Sequence, residues 1–444
     1  MIKKSAYCIV IFFSLFAFVL ICRAQEKAQP LNSSDRKAVV TEVSKLLEQY
    51  YVYPEKARSM EEVLQKKLQH GDYENISDPH EFAMTLAADM HSVNSDKHLN
   101  FEYAPEMAAE MKHSQSKNEV ESKEAKERRL AAMRRDNFGF RKVERLAGNI
   151  GYLDFRFFAP ADVAGETAVA ALNFLANCNA IIIDLRENHG GDPTQIQLIS
   201  SYFFEEPTHL NDIYTRAEDK TENFWTLPYV PGHKATNADL YILTSKTTFS
   251  GAEEFSYNMK NLKRAVLIGE TTGGGAHPTD SKIVQERFIL DVPTARAINP
   301  ITKTNWEGTG VTPDISLPAS AALDKAYQMA LEKLVSKTSD AGGKQELEWT
   351  LAEEKAKSNP LSVSEKILKK YVGVYGDRKV TLENGQLFYQ RTGPKYRLVP
   401  INETTFFAEG VEGFHLEFQV KDGKVDEVIG TYLEGMSDSS KRTG

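Results

Sequence analysis

This sequence has little cysteine, no excess of positive charge and few long apolar runs. Only 3 of the 444 residues are cysteine, and two of these, Cys8 and Cys22, lie near the amino terminus. The third, Cys178, lies among apolar residues and is predicted to be a small buried hydrophobe, so no internal disulfide is expected. The formal net charge of −8 argues against nucleic acid or an anionic membrane as a general partner.

Several motif classes are missing as well. The sequence contains neither a Walker pattern nor a Gly-x-Gly-x-x-Gly fingerprint, which argues against nucleotide binding. It has no His-x-x-x-His pair and no cysteine cluster, so neither a metal nor another cofactor is predicted. The Gly-x-Ser-x-Gly elbow of acyl hydrolases is absent too, because Thr248 occupies the first glycine position.

The amino terminus has the features of an export signal. Lys3 and Lys4 precede an almost unbroken apolar run over residues 9–21. Because this run is too short for a comfortable membrane span, we predict a cleaved signal peptide over residues 1–24. The protein is then exported and is periplasmic, bound to the cell envelope or secreted. Lipid attachment at Cys22 is the alternative, although a bulky residue precedes it.

The composition of 41% hydrophobic and 26% charged residues is globular, and the length predicts two or three domains. Alternating strand and helix patterns predict an α/β core with parallel pairing, while Asn384-Gly385 and Asp422-Gly423 predict β-hairpins. The densely charged segment at 104–137 is predicted to be either a solvated helix pair or a lid over the substrate. The predicted domains are an N-terminal helical domain at 33–103, this charged helical arm at 104–137, an α/β core at 138–337, a polar linker at 338–364 and a small antiparallel β domain at 365–436.

One strand–turn–helix stretch carries the strongest chemical signal. The apolar run from Leu240 to Leu243 predicts a short buried strand, and a helical pattern starts at Gly251. Ser250 therefore lies where the N-cap of this helix is expected. Its hydroxyl can cap the first turn, or it can be a nucleophile beside amides that favour developing negative charge.

Glycine-rich turns follow three predicted strands, at the position where ligands gather in α/β sheets. They are Gly190-Gly191, Ser250-Gly251 and residues 273–275. These turns either cradle a phosphate or, through amides near Gly191 and at Gly251, form an oxyanion hole for acyl transfer. A serine nucleophile also needs a base. The histidines in polar or glycine-rich turns, and therefore the candidate bases, are His98, His189 and His277.

Four segments resemble one family of peptidases. They are, in chain order, residues 184–191, 247–255, 269–275 and 306–314. The sequence there is similar to the tail-specific, or C-terminal-processing, serine peptidases, and most similar to the branch with the tricorn protease core and interphotoreceptor retinoid-binding protein. The resemblance extends over about residues 35–335 and implies an α/β fold with a ββα-spiral core of the ClpP/crotonase type. Nothing in the chain resembles a PDZ module.

The resemblance implies roles for individual residues. Ser250 would be the nucleophile, and Gly251 with the Gly190-Gly191 turn would supply the oxyanion amides. His98 matches the histidine base of the tricorn-like branch, and Glu307 matches its glutamate.

The sequence departs from both branches at the base. The lysine base of the processing branch has no counterpart in the loop at 271–277, and Lys282 lies beyond that loop in a predicted strand. Lys97 stands where the tricorn enzyme has a serine before its histidine. Without that serine, we expect Glu307 to contact Asp96, a water or only the backbone.

The function implied is that of an exported serine endopeptidase acting on unstructured or C-terminal segments of peptides and proteins. Its retinoid-binding relatives supply the main alternative, a non-catalytic carrier of apolar ligands or peptides on a peptidase-like core. A third interpretation makes the C-terminal β domain the functional part, as a carbohydrate or lipid binder. The sequence predicts no oligomeric state.

Overall fold

The computed structural model describes residues 29–116 and 122–444. The predicted signal peptide and the alternative lipid attachment at Cys22 both lie outside these residues. The chain divides into two compact units, one with residues up to 145 and 151–322, the other with residues 146–150 and 323–444. Across the described ranges, no helix combines the length and the apolarity that a membrane span requires.

Three helices open the first unit, and they are α1 Ser33–Tyr50, α2 Pro54–His70 and α3 Pro79–Val93. Local chemistry sets their ends. Asn32 caps α1 and Asp78 caps α3 through their side-chain oxygens, and Gly71 ends α2 with a φ of 80°, as expected of these residue types. The inward faces of the helices share one buried apolar cluster.

Strand β1 Asn100–Tyr103 joins this helical layer to the rest of the unit. It pairs antiparallel with the later strand Phe288–Pro293, where Phe101 lies opposite Leu290. The predicted N-terminal domain and α/β core therefore belong to one compact unit. The charged arm between them contains α4 Pro105–Ser116 and α5 Lys123–Arg135.

The α/β part follows a 3-10 turn at Asn137–Gly139, and its elements in chain order are β2 Phe140–Leu146, β3 Ile150–Phe155, α6 Ala161–Leu175, β4 Ala180–Asp184, α7 Pro193–Ser201, β5 His209–Thr215, β6 Lys220–Trp225, β7 Asp239–Thr244, α8 Gly251–Asn261, β8 Ala265–Gly269, β9 Thr279–Val284, β10 Phe288–Pro293, β11 Ala295–Ile298 and β12 Ile315–Ser316. The strands form a six-stranded sheet in the order β12-β8-β7-β4-β3-β2 and two three-stranded sheets, β1-β10-β9 and β11-β5-β6. Neighbours β4, β7, β8 and β12 pair in parallel, so the unit is of the mixed α/β class that the sequence predicts.

The buried strands β4 and β7 bring two glycine-containing turns together. Every residue of β4 is buried, and so is all of β7 after its first residue. Because parallel neighbours end at the same edge of a sheet, the turns that follow them meet. Phe249 N–H donates to the Asn188 carbonyl over 3.1 Å. A side chain at Gly190, where φ is 95°, would come within 2.5 Å of the Gly251 nitrogen, so only glycine fits this contact.

Helix α9 Ala322–Lys337 leads into the second unit, and α10 Ala341–Ser358 and α11 Glu365–Tyr371 follow. Helix α10 corrects the prediction of a polar linker at 338–364. Asp340 caps it by accepting the Gly343 N–H, and Lys357 pairs with Glu354 three residues earlier. Capping and same-face ion pairs of this kind support a helix that has little apolar periodicity.

The rest of the second unit is the predicted antiparallel β domain, with strands β13 Gly373–Tyr375, β14 Arg378–Glu383, β15 Gln386–Gln390, β16 Tyr396–Pro400, β17 Thr405–Ala408, β18 Phe414–Lys421, β19 Lys424–Tyr432 and β20 Ser437–Lys441. The strands pair in sequence order. Hairpins turn at Asn384-Gly385 and Asp422-Gly423, where all of these residues have positive φ, as a type I′ turn requires. Tyr375 also bridges to Arg442 beyond β20, so the sheet comes close to a closed barrel.

Candidate active site

Ser250 lies between β7 and α8 in a strained backbone conformation. Its φ is 51° and its ψ is −121°, outside the regions that a residue with a side chain favours. Hydrogen bonds hold this conformation. The Ser250 carbonyl oxygen accepts the N–H groups of Glu253 and Glu254 over 2.8 and 3.0 Å, and Glu253 Oε2 accepts the Ser250 N–H over 2.9 Å. The sequence placed Ser250 correctly at the start of the helix.

The Glu253 carboxylate fixes the serine turn to the glycine-rich loop. Glu253 is 0% exposed, and besides Ser250 N–H it accepts the N–H groups of Gly274 and Gly275 over 2.6 and 2.8 Å and the hydroxyl of Thr272. Burial raises the pKa of Glu253 above its usual range, while these donors favour the charged form. Sequence reasoning missed this residue, although Ser-x-x-Glu at a helix start is a recognisable capping signal.

His98 reaches Ser250 from the turn before β1. Its Nε2 lies 3.1 Å from Ser250 Oγ, and its ring stacks on Phe249 with 4.7 Å between centroids. Burial lowers the pKa of His98 to about 4, so the imidazole is neutral near pH 7 and can accept a proton. Its other nitrogen, Nδ1, is buried and has no hydrogen-bond partner within residues 29–116 and 122–444.

A buried cluster of two acids and a second histidine adjoins His98. Asp96 is 1% exposed. Its carboxylate accepts the backbone N–H of His98 over 3.0 Å and the hydroxyl of Tyr51 over 2.9 Å. His277 Nδ1 lies 2.7 Å from Asp96 Oδ2 and 3.4 Å from Glu307 Oε2. One nitrogen of His277 therefore faces both carboxyl groups.

The pKa values of these two carboxyl groups move apart. Burial raises the pKa of Asp96, but the hydrogen bond and charge of His277 outweigh it and leave this pKa below its usual value. Burial and then the charge of Asp96 raise the pKa of Glu307 to about 7. Neighbouring like charges resist joint ionisation. Asp96 is therefore the charged acid below pH 7, and Glu307 gains its charge as the pH rises through that value.

Asp96, His277 and Glu307 each present one ligand atom, and these atoms lie within 4.8 Å of one another. The acid oxygens already accept hydrogen bonds, since Glu307 Oε2 also receives the Ala276 N–H over 2.6 Å. We therefore interpret the cluster as an acid–base network. Glu307 Oε1 and His277 Nε2 are buried, and each is without a hydrogen-bond partner in the described part of the chain.

Backbone amides gather at Ser250. The Gly190 N–H donates to Asn188 Oδ1 over 2.9 Å, so this one of the predicted oxyanion amides already has an acceptor. Gly191 and Gly251 approach so closely that a side chain at Gly251 would lie 2.9 Å from the Gly191 nitrogen. Among the described residues, neither the Gly191 N–H nor the Gly251 N–H donates to a backbone carbonyl of these turns.

Ser250, His98 and both glycines line one open cleft, which holds about 430 Å³ of empty space including the part open to solvent. The remaining lining is mostly apolar and comes from Pro193, Ile213, Gly275, Ala276, Pro278, Thr279, Ala297 and Trp306, together with one carboxyl group, Glu254. A neutral base, a hydroxyl at hydrogen-bond distance and adjacent amides are the parts that acyl transfer needs.

Two models of one peptidase family match this chain. Residues 149–317 match the family described as Peptidase family S41, and residues 26–136 match the N-terminal domain of Peptidase_S41 in eukaryotic IRBP. The chain belongs to peptidase family S41. The family resemblance in the sequence is thereby confirmed.

Curated relatives of this S41 chain are peptidases of greater length. Carboxyl-terminal-processing peptidase 2, chloroplastic, from Arabidopsis thaliana is 29% identical over 185 residues, which are 40% of this chain and 33% of the relative. The tail-specific protease of Haemophilus influenzae is 26% identical over 150 residues, 31% of this chain and 20% of the relative. The matched region thus spans a third or less of each relative's length.

Among solved structures, the photosystem II D1 C-terminal processing protease aligns with a TM-score of 0.42 and 12% identity, over 64% of this chain and 94% of its own. A TM-score at this level is too low to establish a shared fold.

The other basic residues considered from the sequence lie elsewhere. His189 is exposed, and Lys97 Nζ donates to the Gly273 carbonyl. Lys282 Nζ lies 3.4 Å from Asp280 Oδ2. Of the contacts that the sequence left open for Glu307, the structure has the backbone, through the Ala276 N–H, and it adds His277, which the sequence did not suggest. Sequence reasoning kept His277 only as a second candidate base, because nothing in a sequence places it beside Asp96, 181 positions away.

Proposed function

We propose that this S41 chain is a serine endopeptidase that hydrolyses peptide bonds in unstructured or C-terminal segments of proteins. The observation that carries the proposal is the 3.1 Å distance from Ser250 Oγ to His98 Nε2 in a cleft that also holds the Gly191 and Gly251 amides. The curated relatives named above are processing and tail-specific peptidases, which supports the same substrate class for this chain.

In the proposed reaction, His98 Nε2 takes the proton of Ser250 as Oγ attacks the scissile carbonyl carbon. The Gly191 and Gly251 N–H groups stabilise the negative charge that develops on the carbonyl oxygen. The protonated His98 then gives its proton to the leaving amine, which leaves an acyl group on Ser250. Water, deprotonated by His98, hydrolyses this ester and restores the serine.

The acid cluster would stabilise the protonated His98. Asp96 holds the backbone of His98, and its charge favours the imidazolium form of His98. His98 Nδ1 and Glu307 Oε1 are both buried and unpartnered within the described ranges. We assign Glu307 Oε1 as the acceptor for Nδ1–H, which His98 carries both when its free Nε2 accepts the serine proton and when the ring is protonated, so that Glu307 acts as a positioning and charge-stabilising group.

Two further features belong to this proposal. The strand–strand–helix succession and the parallel neighbours β4, β7 and β8 are compatible with a core of the ClpP/crotonase spiral type. An apolar amino-terminal run after two lysines supports export to the periplasm or cell envelope. Fusion of residues 1–24 to a reporter enzyme would test the signal, because export should deliver the reporter outside the cytoplasm and remove the leader.

The activity is tested with Ser250→Ala and His98→Gln against a fluorogenic library of unstructured peptides. Either variant should lower kcat/KM by at least about 10⁴-fold, as for nucleophile and base variants of other serine peptidases. Glu166→Gln, an exposed helical site outside the cleft, is the matched control and should retain activity.

Cleavage that survives in either the Ser250 or the His98 variant rejects the assignment. The carrier alternative makes a different prediction, namely no cleavage and no labelling of Ser250 by a small fluorophosphonate. Saturable binding of an apolar ligand to such an unlabelled protein would support the carrier.

A further inference from the structure

Glu254 is a buried carboxyl group in the cleft for which the proposed reaction has no use. It follows Glu253 on the first turn of α8, is 7% exposed, and lines the same cleft as Ser250 and Gly251. Its carboxyl is the one acidic group in a lining that is otherwise mostly apolar. A carboxyl group in such a place is costly unless something pairs with it.

The side chains around Glu254 have unused hydrogen-bonding capacity. Burial raises the pKa of Glu254 to about 7, even though the nearby amides of Asn211 and Asn258 favour its charged form. Both side chains are 0% exposed. Asn211 has no hydrogen-bond partner of normal geometry for either polar atom, and Asn258 has none for Nδ2, among the described residues.

Strand β5 directs the Asn211 side chain towards the cleft. Asn211 and Ile213 are two positions apart on β5, so their side chains lie on the same face of the strand. Ile213 lines the cleft beside Ser250. A ligand group that enters past Ile213 would therefore meet Glu254, with Asn211 close to it.

We propose that Glu254 is the polar end of the pocket for the substrate side chain on the amino side of the scissile bond, and that it selects lysine or arginine there. This inference depends on the proposed function. The apolar lining, with Pro193, Ile213 and Ala297, suits the methylene stem of such a side chain. The cationic tip would pair with the Glu254 carboxylate, which otherwise has only neutral amides and the like-charged Asp192 near it.

A pair of matched substrates tests the selection. Two fluorogenic peptides differ only at this position, with lysine in one and norleucine, its uncharged analogue, in the other. At pH 8, above the pKa of about 7 for Glu254, kcat/KM should be at least about tenfold higher for lysine, because a site built for a polar group discriminates against an analogue that lacks it. Because both peptides are measured at the same pH, the titration of other groups cancels from the ratio of their kcat/KM values.

Variants assign the preference to Glu254. Glu254→Gln retains an acceptor without charge and should reduce the lysine-to-norleucine ratio by about tenfold, and Glu254→Leu should reverse it. Glu166→Gln and Glu166→Leu, at an exposed helical position, should leave the ratio unchanged. The glutamine variant is nearly isosteric, so the test does not depend on the leucine variant folding.

The outcomes separate this inference from the proposed function. Labelling of Ser250 by a small fluorophosphonate, with no preference for lysine or with a preference that both Glu254 variants retain, overturns the inference alone. Failure of the unsubstituted protein to be labelled or to cleave any peptide overturns the proposed function, and the inference with it. A lysine preference lost in both Glu254 variants supports the inference.

Discussion

Replacement of Glu253 by glutamine tests whether one buried carboxylate holds the strained serine turn in place. Each oxygen of Glu253 accepts two hydrogen bonds. Oε1 receives Gly274 N–H and the Thr272 hydroxyl, and Oε2 receives Ser250 N–H and Gly275 N–H. Glutamine preserves the shape but turns one acceptor into a donor. The change therefore isolates hydrogen bonding from packing.

The magnitude follows from the better of the two glutamine orientations. With the amide nitrogen in place of Oε1, the Thr272 hydroxyl can rotate, and the Gly274 N–H is left without an acceptor at a cost of about 1–3 kcal/mol. The two bonds to the remaining oxygen lose their charge assistance, worth roughly 1 kcal/mol each. In the opposite orientation, with the amide nitrogen in place of Oε2, both the Ser250 N–H and the Gly275 N–H are left without an acceptor. We therefore expect a local destabilisation of about 3–5 kcal/mol.

Hydrogen exchange measured by mass spectrometry provides the assay. Amides in peptides covering 248–256 and 270–277 should exchange more than about 100-fold faster in Glu253→Gln, since 1.4 kcal/mol corresponds to a factor of ten, while peptides from the C-terminal β domain serve as an internal standard. Fluorophosphonate labelling of Ser250 should slow in parallel, because the serine conformation is no longer held. Exchange that accelerates less than threefold at both segments would refute the reasoning.

Three further predictions concern the same site. Tyr51→Phe removes a hydroxyl that donates to Asp96 over 2.9 Å; it should destabilise the first unit by about 1.5–3 kcal/mol in urea unfolding, and full stability would contradict the bond. Gly275→Ala places a methyl group 2.3 Å from Phe249 Cζ and 2.6 Å from His98 Cε1, so Ser250 labelling should fall at least tenfold, whereas Gly165→Ala on α6, with its nearest contact at 3.5 Å, should be neutral. Because burial and Asp96 raise the pKa of Glu307 to about 7, its charge appears as pH rises, and kcat/KM for the norleucine peptide, which has no cation to pair with Glu254, should increase between pH 6 and 8; in Glu307→Gln this rise should be absent, and its persistence would assign the titration to another group.

The sequence predicted those parts of the fold that local patterns determine. The strand predicted at Leu240 to Leu243, the helix start at Ser250, and the Asn384-Gly385 and Asp422-Gly423 hairpins each have a strong local signal. Strands β5 and β6 were missed, because β6 is almost entirely exposed and lacks the apolar alternation that identifies a strand. Helix α10 was missed because charge pairs and a cap support it, with few buried residues.

The residues of the candidate site also divide into those that a local motif identifies and those that only the fold brings together. Ser250, Gly251, Gly191 and His98 belong to short motifs, and motifs can be recognised without coordinates. The network of Asp96, His277 and Glu307 joins three separate turns of the chain, and residue types alone contain no information on distances between such turns. Glu254 was missed for a different reason. A second glutamate on the first turn of a helix is common, since acids are favoured there, and only its burial in the cleft makes it unusual.

The choice of base in this chain follows from where its lysines and acids lie. Lys97 is engaged with the Gly273 carbonyl and Lys282 lies beside Asp280, so His98 is the basic side chain within hydrogen-bond distance of Ser250 in the described structure. A histidine with a pKa of about 4 is a weak base at rest, and it can retain the serine proton only if negative charge stabilises its protonated form. Asp96 supplies one such charge at all pH values above its lowered pKa, and in the proposed mechanism Glu307 supplies a second above pH 7. In the proposed mechanism the stabilising charge is thus shared between two acids that both face Nδ1 of His277, so removing Glu307 alone should change the pH dependence of the reaction more than its rate at low pH.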